Sequence, residues 1–227
     1  MQTNVFLLYQ YTYTMKDKVE NLRVDYDKDT LDIKDLNADP VVQFEYWFDE
    51  AMGAAVPEPH AFMIATVDGE GKPSARIVLL RNADQNGFVF FTNYNSRKGH
   101  NVEVNPNVSA TFFWQELQRQ VRVEGTIEKI SAAESDDYFA SRPRESQIGA
   151  WASNQSEELA SREALEQRIA DLTQQYEGQT VPRPPHWGGY RIKPNRVEFW
   201  QGRPSRLHDR FLYNLQNGSW TIKRLNP

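Results

Sequence analysis

The chain contains no cysteine in 227 residues. That excludes a disulfide framework, a thiolate metal site and a cysteine nucleophile, and makes a cytoplasmic location the expectation. Long apolar runs are missing as well: nothing approaches the roughly 20 residues that span a bilayer. The short run Val5 to Tyr9 has no basic lead and no small-residue cleavage pattern after it, so it does not read as a signal peptide. Nor is there an excess of positive charge. With 31 acidic and 26 basic residues the formal charge is -5, which gives no overall field for nucleic acid or a membrane surface, so any anion site must be local. His60, His100, His186 and His208 are scattered without ligand spacing, and no metal is expected. There is no GxGxxG, HExxH or GxSxG. Gly69-Glu-Gly-Lys72 runs into Pro73 where a phosphate loop needs Ser or Thr, and reads as a hairpin turn.

Aromatic residues, in contrast, are plentiful: 12 Phe, 10 Tyr and 6 Trp support a folded core. Residues 1 to 39 read as a charged, partly flexible N-terminal arm that packs late or on a partner. Its first 14 residues form an extension, with Met15 an alternative start. Residues 40 to 227 read as a single domain. After Pro40, the spacing of Val42, Phe44, Trp47, Phe48 and Met52 predicts an amphipathic helix over 40 to 54. Alternating or compact apolar segments predict strands at 61 to 67, 74 to 80, 87 to 92, 108 to 114 and 120 to 130, with closing strands near 189 to 201, 208 to 215 and 219 to 224. Helical stretches are expected at about 131 to 151 and 157 to 176. The class is mainly β, a barrel with flanking α-helices.

Three basic clusters stand out. Ser96 is a natural N-cap, which puts Arg97 and Lys98 in a first helical turn, where the macrodipole disfavours cations unless an anion is bound. A solvated loop would carry the same charges. In Ser141-Arg-Pro-Arg-Glu-Ser-Gln147, Pro143 holds Arg142 extended and suits the first helical position, so Arg142 and Ser146 could converge on a second anion. Tyr138, one turn earlier, could add a hydroxyl or simply be core. In Arg206-Leu-His-Asp-Arg210, an extended chain would put Arg206, His208 and Arg210 on one face, near Trp200 as a flat wall; an exposed edge strand is the bland alternative. Arg76 and Arg81 bracket the apolar run Ile77 to Leu80. Two anion sites suggest a phosphorylated cofactor and a phosphorylated substrate.

These segments together resemble the pyridoxine/pyridoxamine 5′-phosphate oxidase family, from about Arg23 to Pro227. The stretches that carry the likeness are Arg76 to Leu80, Phe91-Thr-Asn93 with Ser96-Arg-Lys98, Ser141 to Trp151, Gln155-Ser156, and Val197 to Gly202 with Arg206 to Phe211. The resemblance implies an FMN-binding split β-barrel and a homodimer with FMN at the interface. It implies flavin contacts from Arg76, Phe91, Thr92, Arg97, Lys98, Gln120, Gln155, Ser156, Trp200 and Arg210. The substrate phosphate would meet Arg81, Tyr138, Arg142 and Ser146, with Arg206 and His208 over the pyridine ring as catalytic residues. Arg23 and Tyr26 would belong to a segment closing over the substrate. The reaction implied is oxidation of a small phosphorylated pyridine amine or alcohol by O2, giving the aldehyde and hydrogen peroxide. Where the family commonly has lysine this chain has Arg81, a planar fork in place of a compact ammonium. Two rivals remain at this stage: a split-barrel reductase using a nicotinamide cofactor, and a carrier of pyridoxal 5′-phosphate without turnover.

Overall fold

The computed structural model describes residues 15 to 20, 22 and 24 to 227. The extension 1 to 14 and the expected contact Arg23 lie outside the described residues. After a short helix α1 (Met15–Glu20) and an extended arm, α2 (Pro40–Gly53) begins at an Asp39 N-cap whose carboxylate accepts from Val41 N–H at 2.7 Å, with Pro40 in the first turn. The helix is where the spacing predicts it, but its buried face is rotated. Val41, Phe44, Trp47 and Ala51 are buried, whereas Val42 and Met52 are 44% and 60% exposed. The Phe44 and Trp47 rings anchor in the barrel, and the flanking residues follow from their direction.

Nine strands form one antiparallel sheet: β1 (Ala61–Val67), β2 (Pro73–Leu79), β3 (Asn82–Asp84), β4 (Gly87–Asn93), β5 (Asn107–Trp114), β6 (Arg119–Lys129), β7 (Trp187–Gln201), β8 (Asp209–Gln216) and β9 (Ser219–Leu225). The path runs β2-β1-β5-β6-β7-β4-β3, with β8 and β9 continuing from β7. Its two ends, β2 and β3, are joined only by Leu80 and Arg81, so the sheet must curl until its edges meet. Accordingly β2 and β4 touch although four strands separate them in the sheet order. Arg81 N–H donates to Val89 O at 2.8 Å across that corner. This is a split β-barrel, closed at a seam rather than by a continuous ladder.

Alternation fills the interior. Phe62, Ile64, Ala110, Phe112, Val121, Val123, Val197 and Phe199 point inward and are essentially inaccessible, joined by Phe44 and Trp47 from α2. Truncating one of these aromatics to alanine costs ~3–5 kcal/mol. A second, smaller core of Phe139, Ile148, Val181 and Trp187 fixes α4 (Ala132–Ser141) and α5 (Arg144–Ala152) on the barrel beside the seam. The single helical stretch expected over 131 to 151 is thus two helices, broken where Arg142 is extended (φ -74, ψ 149) before Pro143. Pro143 is the N-cap of α5, one place ahead of the position expected for it. The last helix, α6 (Arg162–Gln175), starts five residues later than the pattern suggests, because Ser161 caps it by accepting from Ala164 N–H. No helix among the described residues is long and apolar enough to cross a membrane.

Candidate active site

A cavity of about 740 Å³ opens at the seam. Arg76 and Arg81 come from β2 and the corner after it, and Phe91 and Thr92 from β4. Arg97 and Lys98 come from the first turn of α3 (Arg97–Val104), Tyr138, Arg142 and Ser146 from α4 and α5, and Gln155 and Ser156 from the turn beyond. Five cations line it and no carboxylate does. None of the five forms an ion pair among the described residues, whereas most other arginines of the barrel do. Lys98 is buried, Arg76 and Arg142 are half-buried and Arg81 and Arg97 are exposed; a carboxylate-free concentration of positive charge of this kind is stabilised by an anionic ligand.

Lys98, Arg76, Arg142 and Tyr138 are held in place by neighbours. Ser96 caps α3, its Oγ accepting from Gly99 N–H at 3.4 Å and donating to Asn93 O at 2.7 Å. Gly99 permits this close seating, since a Cβ there would lie 1.7 Å from Tyr94 O. Lys98 turns into the protein, its ammonium donating to Thr92 Oγ1 at 2.8 Å, Ser96 Oγ at 3.1 Å and Gln155 Oε1 at 2.6 Å. All three acceptors are neutral, so burial, aided by the nearby Arg76 charge, pushes the Lys98 pKa down to about 8. Arg76 is threaded between β1 and β2, donating to Thr66 Oγ1 at 2.8 Å and Ser74 Oγ at 2.6 Å, and burial followed by the Arg97 charge lowers its pKa.

Arg142 sits over two aromatic rings, its guanidinium carbon 4.5 Å from the Trp187 ring centroid and 5.7 Å from that of Phe139. Its Nη1 is buried without a hydrogen-bond partner, and burial lowers its pKa. A guanidinium left with an unpaired nitrogen at the edge of a cavity has donor capacity to offer an acceptor oxygen. Tyr138 stacks on Phe91 at 3.9 Å, with the Arg81 guanidinium 5.9 Å above the Tyr138 ring.

The remaining expected residues gather elsewhere. Gln120, Trp200 and Arg210 are successive partners in the register of β6, β7 and β8, on the outer face of the barrel beside the half-exposed Phe113. His208 lies against Trp200 with centroids 4.5 Å apart, and Tyr26 meets both rings, at 5.8 Å from Trp200 and 6.0 Å from His208. Tyr26, Arg206 and His208 line a second cavity of about 790 Å³ that shares no residue with the first. His208 Nδ1 accepts from Arg203 N–H at 3.1 Å, which puts the proton of the neutral ring on Nε2. Burial, then the Arg206 and Arg210 charges, lowers the His208 pKa.

One expectation about this strand needs correction. Arg206 is not extended: Pro204–Arg206 make a 3-10 turn with Ser205 and Arg206 in the left-handed region at φ 56 and φ 63, and β8 starts only at Asp209. Period-two spacing therefore does not place Arg206 with His208; the turn does. Arg210 has an acid opposite it, Glu198, in a two-pronged pair at 3.0 Å on each side. Sequence reasoning also missed Arg203, whose contribution is a backbone N–H that no side-chain pattern announces. The gathering of cations at the seam, in contrast, is signalled by the capping serine and the Arg-Pro break.

Two family models match the chain. One, described as pyridoxamine 5′-phosphate oxidase, covers residues 48–176, and the other, the pyridoxine 5′-phosphate oxidase C-terminal dimerisation region, covers 187–227. A pyridoxine/pyridoxamine 5′-phosphate oxidase of Nostoc punctiforme is 53% identical over 94% of this chain and 100% of its own length; one of Bordetella pertussis is 58% identical over 92% and 99%. Among solved structures, PhzG from Burkholderia lata in complex with tetrahydrophenazine-1-carboxylic acid superposes with a TM-score of 0.83 at 31% identity, covering 88% of this chain and 98% of that one. A pyridoxamine 5′-phosphate oxidase-related, FMN binding protein from Nostoc punctiforme shares the fold, with a TM-score of 0.67 at 16% identity over 85% and 100%. With both family models spanning the barrel and relatives matched over essentially their whole length, the chain belongs to the pyridoxine/pyridoxamine 5′-phosphate oxidase family of oxidoreductases.

Proposed function

We propose that this protein uses FMN to oxidise pyridoxamine 5′-phosphate and pyridoxine 5′-phosphate with O2, yielding pyridoxal 5′-phosphate and hydrogen peroxide in the cytoplasm. The observation that carries this is the carboxylate-free seam cavity with five cations and an orphaned Arg142 nitrogen. It has charge for two phosphates, one of a mononucleotide cofactor and one of a small substrate. The donor set fits FMN: Arg76, Arg97 and Lys98 with the Thr92 and Ser156 hydroxyls suit its phosphate, and Phe91 and Gln155 border the same space. When bound, FMN supplies two-electron redox chemistry, accepting a hydride from the substrate carbon and returning the electrons to O2.

The substrate phosphate falls to Arg81, Tyr138, Arg142 and Ser146, on the opposite wall of the cavity. Binding energy gathered there, away from the reacting carbon, orients that carbon. His208 and Arg206 then act at the pyridine end. The lowered His208 pKa keeps its imidazole neutral at pH 7, able to take a proton as the amine or hydroxyl loses one, while Arg206 sets the ring and steadies developing charge. For the amine, water then hydrolyses the imine to the aldehyde and ammonia.

A pyridine phosphate is far too small to touch both cavities of one protomer, since they adjoin opposite ends of β7. The reading therefore requires a homodimer, in which Gln120, Trp200, Arg206, His208 and Arg210 of one protomer complete the seam of its partner, with FMN between them. Half-exposed Phe113 in the Trp200 row and exposed Ile77 at the seam are apolar surface suited to such an interface. Replacement of the family's lysine by Arg81 retains the charge at the phosphate end.

A nicotinamide-dependent reductase has no use for the second phosphate set, and a carrier would bind without consuming oxygen. Oxygen uptake by the FMN-loaded protein with pyridoxamine 5′-phosphate, with aldehyde and peroxide formed in equal amounts, supports the oxidase. Retained FMN without oxygen uptake removes it.

A further inference from the structure

The N-terminal arm meets one end of the barrel through a short series of directed contacts. Lys28 N–H donates to Gln118 Oε1 at 3.1 Å, Asp29 pairs with Arg119 at 2.9 Å, Leu31 N–H donates to Asp209 Oδ2 at 3.2 Å, and Asp32 pairs with Arg224 at 2.9 Å. Just before them, Tyr26 packs on Gly202, where a Cβ would stand 2.5 Å from the tyrosine ring. Val19, Leu22, Val24, Asp25 and Tyr26 of the arm form one wall of the second cavity; Arg203, Ser205, Arg206 and His208 form the other.

Asp209 links the arm, at Leu31, to the second of these walls, at Arg203. Its Oδ1 takes Arg224 at 2.8 Å, and its Oδ2 takes Leu31 N–H and faces Arg203 Nη1 at 3.4 Å. Arg203 in turn holds His208 through the N–H bond to Nδ1. Between them, Ser205 and Arg206 occupy a backbone region that non-glycine residues keep only when their surroundings hold them there. One carboxylate, 18% exposed, thus touches the arm, the strained turn and the last strand.

We propose that Asp209 is a positioning residue that ties the arm to the Arg203 to His208 turn, so that docking of the arm fixes His208 and Arg206 in the orientation the substrate meets. The link between arm and turn stands on the contacts alone; its effect on turnover rests on the oxidase reading. Removing the carboxylate leaves Leu31 N–H without its acceptor and Arg203 without its acid partner, and leaves Arg224 with Asp32 alone. Asparagine keeps an oxygen for Leu31 but not the charge for the arginines.

The test uses the full FMN-loaded chain as wild type, Asp209→Ala, Asp209→Asn and Arg224→Ala. Tryptic cleavage after Lys28 and Lys34 reports the arm, NMR of the His208 ring reports the turn, and kcat and KM with pyridoxamine 5′-phosphate report the chemistry. For Asp209→Ala the expectation is arm cleavage faster by about tenfold or more, a displaced His208 resonance, and kcat lower by about 10- to 100-fold, with flavin retained and KM changed far less. Asp209→Asn falls between it and wild type. Wild-type cleavage, or lower turnover with the His208 resonance unmoved, overturns the proposal. If Asp209→Ala does not fold, Asp209→Asn and Arg224→Ala decide by the same criteria, the latter from a half-exposed position. If the wild type itself retains flavin but oxidises nothing, the oxidase reading fails, while cleavage and the His208 signal still decide whether Asp209 joins arm and turn.

Discussion

Trp187 and Trp200 stand at opposite ends of the same 15-residue strand, and each belongs to a different half of the candidate site. Trp187 backs the Arg142 guanidinium in the cationic seam; Trp200 backs His208. At about 3.3 Å per residue the strand separates them by roughly 40 Å of chain. Everything asked of the site in solution follows from that division.

Arg142→Ala should raise KM for pyridoxamine 5′-phosphate by about 10- to 100-fold while FMN remains bound, because a charge-assisted contact to phosphate is lost and the cofactor set is not. Arg142→Lys should recover little, since a lysine cannot sit over Trp187 and offer a fork at once. Steady-state kinetics alongside flavin fluorescence separates the two effects; equal loss of flavin and substrate binding would move Arg142 to the cofactor.

Lys98 gives a pH signature. Its folded pKa, about 8, lies below the ordinary lysine value, so between about pH 8 and 10.5 the unfolded chain holds a proton there that the native FMN-free chain has released. Stability of the FMN-free protein from this group therefore rises with pH across that window, and Lys98→Met should abolish the contribution. A bound phosphate favours the charged form, so FMN affinity should fall as pH rises above about 8 in wild type and not in the variant. Denaturant midpoints and flavin titrations at pH 7, 8 and 9 check both signs.

His208→Asn and Arg206→Ala should each lower kcat by about 10²- to 10⁴-fold if the groups work on the proton and the developing charge. Near-normal turnover in both would discard the assignment. Arg81→Lys should change kcat/KM only by about two- to fivefold, the worth of one exposed contact with the Tyr138 face; a larger change in oxygen uptake assays would show that the fork itself is used.

Phe113 lines neither cavity, is 50% exposed and sits in the Trp200 row. Phe113→Asp should therefore shift the protein toward monomer and release FMN without unfolding the barrel, as read by light scattering, flavin fluorescence and circular dichroism. A stable dimer that keeps its flavin would place the interface elsewhere.

Much of this architecture is legible in the sequence for physical reasons. Alternation marks β5 and β6 because one face of each is inaccessible, and Ser96 and the Arg142-Pro143 break mark helix ends whose backbone groups need partners. The rotation of α2 was not legible, since Val41, Val42, Ala51 and Met52 are all apolar and only the barrel wall decides which are buried. Neither was the turn at Ser205 and Arg206: a left-handed conformation in non-glycine residues has no compositional trace. Division of the site depends on the length and curvature of β7, a tertiary property. Gln120 opposite Trp200 becomes visible only through the register of β6 and β7.

Subunit mixing tests the composite site most directly. Arg142→Ala and His208→Asn subunits are unfolded together, refolded with FMN and assayed for oxygen uptake at a pyridoxamine 5′-phosphate concentration well below the raised KM of Arg142→Ala, where each variant alone contributes little. If one protomer supplies the phosphate end and its partner the pyridine end, half the dimers are mixed and one of their two sites is intact, so about a quarter of wild-type activity should return. No recovery in a preparation shown to contain mixed, flavin-loaded dimers would place Arg142 and His208 in the same protomer's site and contradict the account.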